Sequence, residues 1–160
     1  MTNQTGVVRN HVKEKLARGE VVASMTVRLV RGIEIVRIAK TAGFDSLYVD
    51  MEHSTMTVDA TGQICLAALS AGIAPMVRVP ANTPEYIQRV LDGGALGIIA
   101  PGIRSAEEAR EVVNRLKYPP IGHRSMGGIG PHYGLRSAAS GGAASAPNAA
   151  NLTIVMLETP

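Results

Sequence analysis

SLYVDMEHS, residues 46–54, is a short apolar run that ends abruptly in two acids and a histidine. Side chains of this kind lie where a buried strand reaches the surface, and catalytic groups of α/β proteins often come from such strand ends. Three further strand-like runs end in a similar way: IAPMVRVP with Arg78, ALGIIAPG with Pro101 and Gly102, and LTIVMLETP with Glu158. We therefore expect acids, a histidine, a cation and a further carboxylate to gather at one end of one sheet.

Apolar runs and helical patterns alternate along most of the chain. The predicted strands cover residues 21–27, 46–51, 75–79, 96–100 and 152–159, and the predicted helices cover 8–19, 33–42, 58–71, 83–91 and 105–117. Every strand but the first is a near-continuous apolar run, which is typical of a parallel sheet covered by helices. A Rossmann glycine fingerprint is absent, so repeated βα units favour a (β/α)8 TIM barrel over a doubly wound sheet.

The number of strands limits this interpretation. Five strands are predicted, whereas a closed barrel of this class has eight. Residues 1–160 are therefore predicted to form a single, partial barrel domain that covers about the first five βα units. The alternative is an open sheet with covered edges, and exposed edge strands would favour self-association.

A long connection separates the last predicted helix from the last strand. Its first half, YPPIGHRSMGGIGPHYG, contains Arg124, His123 and His132 among turn-forming residues, so it could fold over a ligand. Its second half, residues 138–151, is rich in Ala, Gly and Ser and is predicted to be a flexible loop.

The composition excludes several classes of function. Hydrophobic residues make up 46% of the 160, the net charge is only +3, and aromatic residues make up 3%, so neither disorder nor nucleic-acid binding is favoured. The lone cysteine, Cys65, excludes an internal disulfide framework. Because no apolar run reaches membrane-spanning length and the N-terminal segment lacks a signal-peptide pattern, we predict a cytoplasmic protein without a membrane partner.

Five motifs, VDMEHS, MVRVP, VLDGG, YPPIGHRSMGG and VMLET, occur in an order and spacing that resemble the HpcH/HpaI aldolase family. The resemblance runs from about Val21 to Thr159. It implies a metal-dependent class II pyruvate aldolase on a (β/α)8 barrel, with macrophomate synthase as a fungal relative. It also implies a homo-oligomer and a small 2-keto acid as substrate.

The resemblance assigns roles to individual residues. His53 matches the general base, Asp50 matches the acid that orients its imidazole, Arg78 matches the arginine that binds pyruvate, and Glu158 matches a metal ligand. The second metal carboxylate of the family lies at the end of a sixth strand, for which this sequence has no position. Arg124 is predicted to contact the substrate. Many relatives have a glutamine where this chain has Met156, so the substrate cannot be transferred from them.

This chemistry explains why such residue types are needed. A base that titrates near neutral pH favours histidine, and a guanidinium matches carboxylate or enolate oxygens with two hydrogen bonds. Ligation by oxygen, as at Glu158, suits Mg²⁺, Mn²⁺ or Co²⁺. Simpler roles stay open, because Asp50 could be a helix N-cap, Arg78 a structural ion pair, and Glu52 or His53 a solvated loop residue.

Three functions follow as hypotheses. The first is a class II aldolase that cleaves 2-keto-3-deoxy or 4-hydroxy-2-oxo acids through a pyruvate enolate. The second is a macrophomate synthase-like decarboxylation of oxaloacetate followed by addition of the enolate to an acceptor. The third is an inactive fragment, or a subunit that is active only when a partner completes the barrel.

Overall fold

The computed structural model describes residues 9–127, 130–133 and 144–158. Helices and parallel strands alternate over most of this length, and a short 3-10 helix covers Pro131–Tyr133. The elements in chain order are α1 (His11–Ala17), β1 (Ser24–Val27), α2 (Glu34–Thr41), β2 (Ser46–Asp50), α3 (Val58–Ala71), β3 (Ala74–Arg78), α4 (Pro84–Asp92), β4 (Gly97–Ala100), α5 (Ala106–Leu116), α6 (Ser145–Ala150) and β5 (Leu152–Val155).

The five strands form one sheet in which spatial order equals chain order, β1-β2-β3-β4-β5, and every neighbouring pair is parallel. This confirms the predicted parallel sheet. Because all strands point the same way, their carboxyl ends share one edge of the sheet. The register pairs Asp50 with Arg78, so the last residues of β2 and β3 stand side by side.

The central strands β3 and β4 are almost entirely apolar and buried because both faces of the sheet are covered there. On the face packed by α2 to α5, Val49, Val77 and Ile98 join the main core with helix residues such as Ile64 and Ile87. The opposite face carries a smaller cluster built from Ala74, Met76, Leu96 and Ile99 with Val12 of α1. Alternate residues of one strand therefore enter different cores, which removes the polar positions that a half-exposed strand would show.

Helix α1 lies across the amino ends of the strands. The Asn10 side chain caps α1 and also donates its Nδ2–H to the carbonyls of Leu96 (3.0 Å) and Ala150 (2.9 Å). Lys13 Nζ donates to the carbonyl of Ala149 at 2.6 Å. These bonds tie the beginning of the described chain to the segment before β5 and leave the opposite edge to the polar strand ends.

The prediction of a flexible loop over residues 138–151 is wrong for its last part, because Ser145–Ala150 is helix α6. Asn148 is buried and its side chain bonds both polar groups of the Tyr118 backbone, at 2.7 and 3.0 Å. Lys117 Nζ donates to the carbonyl of Asn151 at 2.8 Å. Specific polar bonds to a distant segment help to hold this helix, so composition could not reveal it. Residues 138–143 lie outside the described residues.

Gly97 is required where β4 passes between β3 and β5. A Cβ atom there would lie 2.9 Å from the carbonyl oxygen of Leu152 and 2.4 Å from Met76 Sδ. Since the Leu152 oxygen belongs to a paired strand, it cannot move away without breaking the ladder. We expect Gly97→Ala to reduce the free energy of unfolding by about 1–3 kcal/mol, as measured by denaturant titration. Gly127→Ala is the matched control, because its Cβ would meet no atom within 4 Å. Equal stability of the two variants would contradict this packing.

None of the helices that the structure describes combines the length and the apolar character needed to span a lipid bilayer.

Candidate active site

Asp50 and Arg78 form the centre of the site at the carboxyl edge of the sheet. The Asp50 side chain has no exposed surface, and that of Arg78 is 12% exposed. Arg78 donates from Nε to Oδ1 at 3.0 Å and from Nη2 to Oδ2 at 2.7 Å. This two-point geometry follows from the register, since neighbouring parallel strands place their last side chains beside each other.

Three further contacts complete the surroundings of the Asp50 carboxylate. Its Oδ1 accepts the main-chain N–H groups of Glu52 (3.0 Å) and His53 (3.1 Å), and Arg28 Nε lies 3.2 Å from Oδ2. Burial acts to raise the pKa of Asp50, but the hydrogen bonds from Arg78 and from the backbone outweigh it, so this pKa lies below its usual range. Asp50 is therefore an anion at neutral pH, and it fixes the backbone after β2.

The structure gives Asp50 a different contact from the one expected. The prediction that Asp50 orients the imidazole of His53 is not matched by the hydrogen bonds, because the carboxylate holds the His53 main-chain N–H rather than its ring. The simpler alternative for Asp50, an N-cap, is wrong, because Thr57 caps α3 with its side chain.

Arg28 is a site residue that sequence reasoning missed. It follows β1 directly and donates from Nε (3.1 Å) and Nη2 (2.5 Å) to the carbonyl of His53, in addition to its contact with Asp50. Arg31 donates to the carbonyl of Thr55 at 3.2 Å. Two arginines of the β1–α2 loop thus hold the backbone of the β2–α3 loop. The sequence signal for Arg28 was a cation at the end of a strand, as for Arg78. This signal was weak because the apolar pattern of the first strand is the least regular of the five.

His53 and Glu52 lie beside this pair, and the His53 side chain faces outward. The His53 side chain is 62% exposed, and its Nε2 is 3.7 Å from Glu52 Oε2. The same Glu52 oxygen lies 2.9 Å from Arg78 Nη1. The backbone of His53 is therefore fixed by Asp50 and Arg28, while its ring remains accessible to a ligand.

Glu158 reaches the same edge from beyond β5. Its Oε1 accepts the main-chain N–H of Gly102 at 3.1 Å, and Gly102 has a φ of +64°, which favours glycine. A cleft of about 310 Å³ opens here. It is lined by Glu52, Pro80, Ala81, Asn82, Pro101, Gly102, Arg104 and Glu158. The predicted site residues Asp50, His53 and Arg78 thus lie together around Glu52. Glu52 and Glu158 line the same cleft.

Arg124 does not belong to this edge, and its predicted contact with substrate is contradicted by its position. Its side chain is 1% exposed, its Nη2 lies 2.6 Å from Asp92 Oδ1, and its guanidinium stacks over Tyr118. Asp92 ends α4, which leads into the amino end of β4. His132, which contacts the carbonyl of Ala95 at 2.8 Å, is buried at that same end. The sequence of the loop that contains Arg124 and His132 does not indicate whether it lies at the carboxyl or the amino edge of the sheet.

The carboxylates of the cleft do not by themselves complete a metal site. Among residues 9–127, 130–133 and 144–158, no three His, Cys, Asp or Glu side chains are grouped closely enough to hold an ion. Glu158 and Glu52 are the two carboxylates that line the cleft. These two carboxylates are oxygen donors of the type that Mg²⁺ or Mn²⁺ prefers, but they do not supply all the ligands that such an ion needs.

Comparison with known proteins shows the family of this chain. The family model for HpcH/HpaI aldolase/citrate lyase matches residues 31–159. The chain belongs to this family. Its relatives include the 4-hydroxy-4-methyl-2-oxoglutarate aldolase of Chaetomium globosum, which is 42% identical over 151 residues, covering 93% of this chain and 56% of the relative.

Solved structures give the same result for the fold. The HpcH/HpaI aldolase of Desulfitobacterium hafniense superposes with a TM-score of 0.84 at 34% identity, over 90% of this chain and 55% of that one. Macrophomate synthase gives 0.71 at 24% identity, over 93% and 52%. The predicted TIM-barrel family is confirmed, and the chain spans about half the length of the relatives it matches.

Proposed function

We propose that the protein carrying this chain is a metal-dependent aldolase that cleaves 4-hydroxy-2-oxo acids, including 2-keto-3-deoxy acids, through a pyruvate enolate. The observation that carries the proposal is the Asp50–Arg78–Glu52 cluster, which fixes a guanidinium beside the exposed ring of His53. Membership of the HpcH/HpaI family supports the same class of reaction.

Arg78 holds the 2-oxo acid in this proposal. A guanidinium has five N–H donors, and contacts to Asp50 and Glu52 engage Nε, Nη2 and Nη1. The remaining N–H groups are available for the carboxylate or enolate oxygen of the substrate. Because Asp50 and Glu52 hold the side chain rigidly, the positive charge is in place before the enolate forms, which is the arrangement that lowers a barrier most effectively.

His53 moves the proton. In the cleavage direction its ring takes the proton from the C4 hydroxyl, the C3–C4 bond breaks, and that electron pair forms the enolate of pyruvate while C4 becomes a carbonyl. The enolate is then protonated at C3 to give pyruvate. The hydrogen bond from the His53 N–H to Asp50 and that from Arg28 to the His53 carbonyl fix the backbone from which the ring projects.

A divalent cation, Mg²⁺, Mn²⁺ or Co²⁺, supplies Lewis-acid stabilisation of the keto-acid oxygens when it is bound. Glu158 is the ligand that this chain offers, and Glu52 is the second carboxylate of the cleft. Both lie on the edge that carries Arg78.

The aldolase reaction is preferred over the alternatives. Macrophomate synthase is similar to this chain at 24% identity, which shows the fold alone. The third hypothesis, that the 160 residues alone are inactive, concerns the chain and not the reaction class, and the assay below tests it directly. A cytoplasmic location, a homo-oligomeric state and the lack of nucleic-acid or membrane partners stay predictions.

The test of metal dependence uses the protein in the longest form that its coding sequence gives, with the 160-residue chain assayed in parallel. We expect that form to decarboxylate oxaloacetate and to cleave 4-hydroxy-2-oxo acids with Mn²⁺ or Mg²⁺, to lose both activities in EDTA, and to regain them on addition of excess metal. EDTA saturated beforehand with Mg²⁺ is the control. Turnover that persists in EDTA would contradict the assignment.

A further inference from the structure

Tyr48 lies two residues before Asp50 on β2, so both side chains project from the same face of the sheet. The Tyr48 side chain is half-buried and packs against the smaller core cluster. Its ring centroid lies 5.5 Å from Cζ of Arg78. Because a cation is attracted to the face of an aromatic ring, the Tyr48 ring helps to hold the guanidinium of Arg78 in place.

The hydroxyl of Tyr48 extends across the sheet. It donates to Met156 Sδ at 3.8 Å, although Tyr48 belongs to β2 and Met156 follows β5, with two strands between them. In a flat sheet the backbones of β2 and β5 would lie about 14 Å apart. The contact therefore requires that the sheet curve toward this face. The hydroxyl lies over the concave face, beside the residue that leads from β5 to Glu158.

This hydroxyl has only a weak partner. Within residues 9–127, 130–133 and 144–158, its hydrogen bond goes to the thioether sulfur of Met156, which is a poor acceptor. Burial raises the pKa of Tyr48 above its usual value, the Arg78 cation opposes this effect, and the Asp50 carboxylate adds to it. Tyr48 therefore keeps its proton at neutral pH, and an oxygen atom of a ligand would be a better acceptor than the sulfur.

We infer that Tyr48 is a further catalytic residue, whose hydroxyl donates a hydrogen bond to the enolate oxygen of the bound 2-oxo acid. The inference rests on the proposed function, in which Arg78 holds that acid. Because the Tyr48 ring lies beside the guanidinium, the hydroxyl and the free N–H groups of Arg78 can contact the same small ligand. No proton is transferred in this step, so Tyr48 stays neutral and the negative charge stays on the enolate. A donor that is in place before this charge develops lowers the barrier.

Tyr48→Phe tests the inference, because it removes the hydroxyl and keeps the ring beside Arg78. In the longest form that the coding sequence gives, we expect kcat to fall by about 10- to 100-fold, with KM within about twofold. Cleavage of 4-hydroxy-2-oxo acids and decarboxylation of oxaloacetate should be affected alike, since both pass through the enolate. The melting temperature should hardly change, because the hydroxyl gives up only its bond to sulfur.

Two controls separate catalysis from structure. Tyr86→Phe removes a hydroxyl from a side chain on α4 that does not line the cleft, and it should leave both rates unchanged. Met156→Leu removes the sulfur acceptor at similar volume, and it should keep kcat within about twofold. Equal losses in Met156→Leu and Tyr48→Phe would show that the hydroxyl acts only through the sulfur, and this result would overturn the inference. An unchanged kcat in Tyr48→Phe would also overturn it.

Binding of oxalate separates this inference from the proposed function, since oxalate is a planar anion that resembles the enolate of pyruvate. In calorimetric titrations with Mg²⁺ present, Tyr48→Phe should bind oxalate about tenfold more weakly and pyruvate less than about twofold more weakly. If the unchanged protein turns over neither type of substrate, the proposed function fails and the titration still decides the role of Tyr48. That role is refuted if the two proteins bind oxalate equally, or if the unchanged protein does not bind it.

Discussion

Arg78→Met is expected to lower the free energy of unfolding by about 3 kcal/mol, near the lower end of the range for removing one partner of a buried ion pair. The variant leaves the carboxylate of Asp50, which has no exposed surface, without its two-point partner. Arg28 and two main-chain N–H groups remain, so the loss should not reach the upper end of that range. Denaturant unfolding at neutral pH measures the difference.

The same variant should change the acid dependence of stability. The pKa of Asp50 in the folded protein lies below its ordinary value, chiefly because the Arg78 and backbone hydrogen bonds outweigh burial. Its contribution is therefore fully present above the unfolded pKa of about 3.9 and is lost as the pH falls through the folded pKa. The gap between the unchanged protein and Arg78→Met should narrow as the pH falls below about 4.

Arg110→Met provides the control for stability, since both partners of the Arg110–Glu107 pair are largely exposed. It should leave unfolding unchanged. An equal loss in the two variants, or a loss in Arg78→Met that does not depend on pH, would show that the Asp50–Arg78 pair is not the source of the effect.

His53→Gln is expected to reduce kcat by about 10² to 10⁴, the usual cost of removing a general base. Stability should hardly change, because the side chain is 62% exposed and the bonds that fix residue 53 use its backbone. The measurement is kcat at saturating substrate together with the melting temperature. His123→Gln, at an exposed position beside buried Arg124, is the control and should keep full activity. Retention of more than about a tenth of kcat in His53→Gln would remove His53 from the role of base.

Elements with local signals could be predicted well. Helix α3 covers the predicted residues 58–71, because its first and last turns are specified nearby in the sequence. Thr57 accepts the N–H of Ala60 at 3.2 Å, and Gly72 adopts a φ of +68° at the C-cap. The proximity of Asp50 and Arg78 could be predicted for the same kind of reason, since strand ends of a parallel sheet must meet at one edge.

Features that depend on contacts between distant segments could not be predicted. Arg28 contacts a backbone carbonyl 25 positions away, and no periodicity records such a bond. The position of Arg124 depends on a pair with Asp92 at the opposite end of the sheet. Helix α6 depends on the amide of Asn148, whose partner backbone lies at Tyr118. In each case the sequence gives the residue type but does not indicate which distant residue it contacts.

The sequential strand order has a consequence for biosynthesis. Arg28, Asp50, Glu52 and Arg78 all precede β4, and their mutual bonds require only β1, β2 and β3. Each βα unit lies beside its predecessor in the chain, so every partner in this charged cluster has been synthesised before β4 begins. Arg104 and Glu158, which line the cleft, are added later in translation.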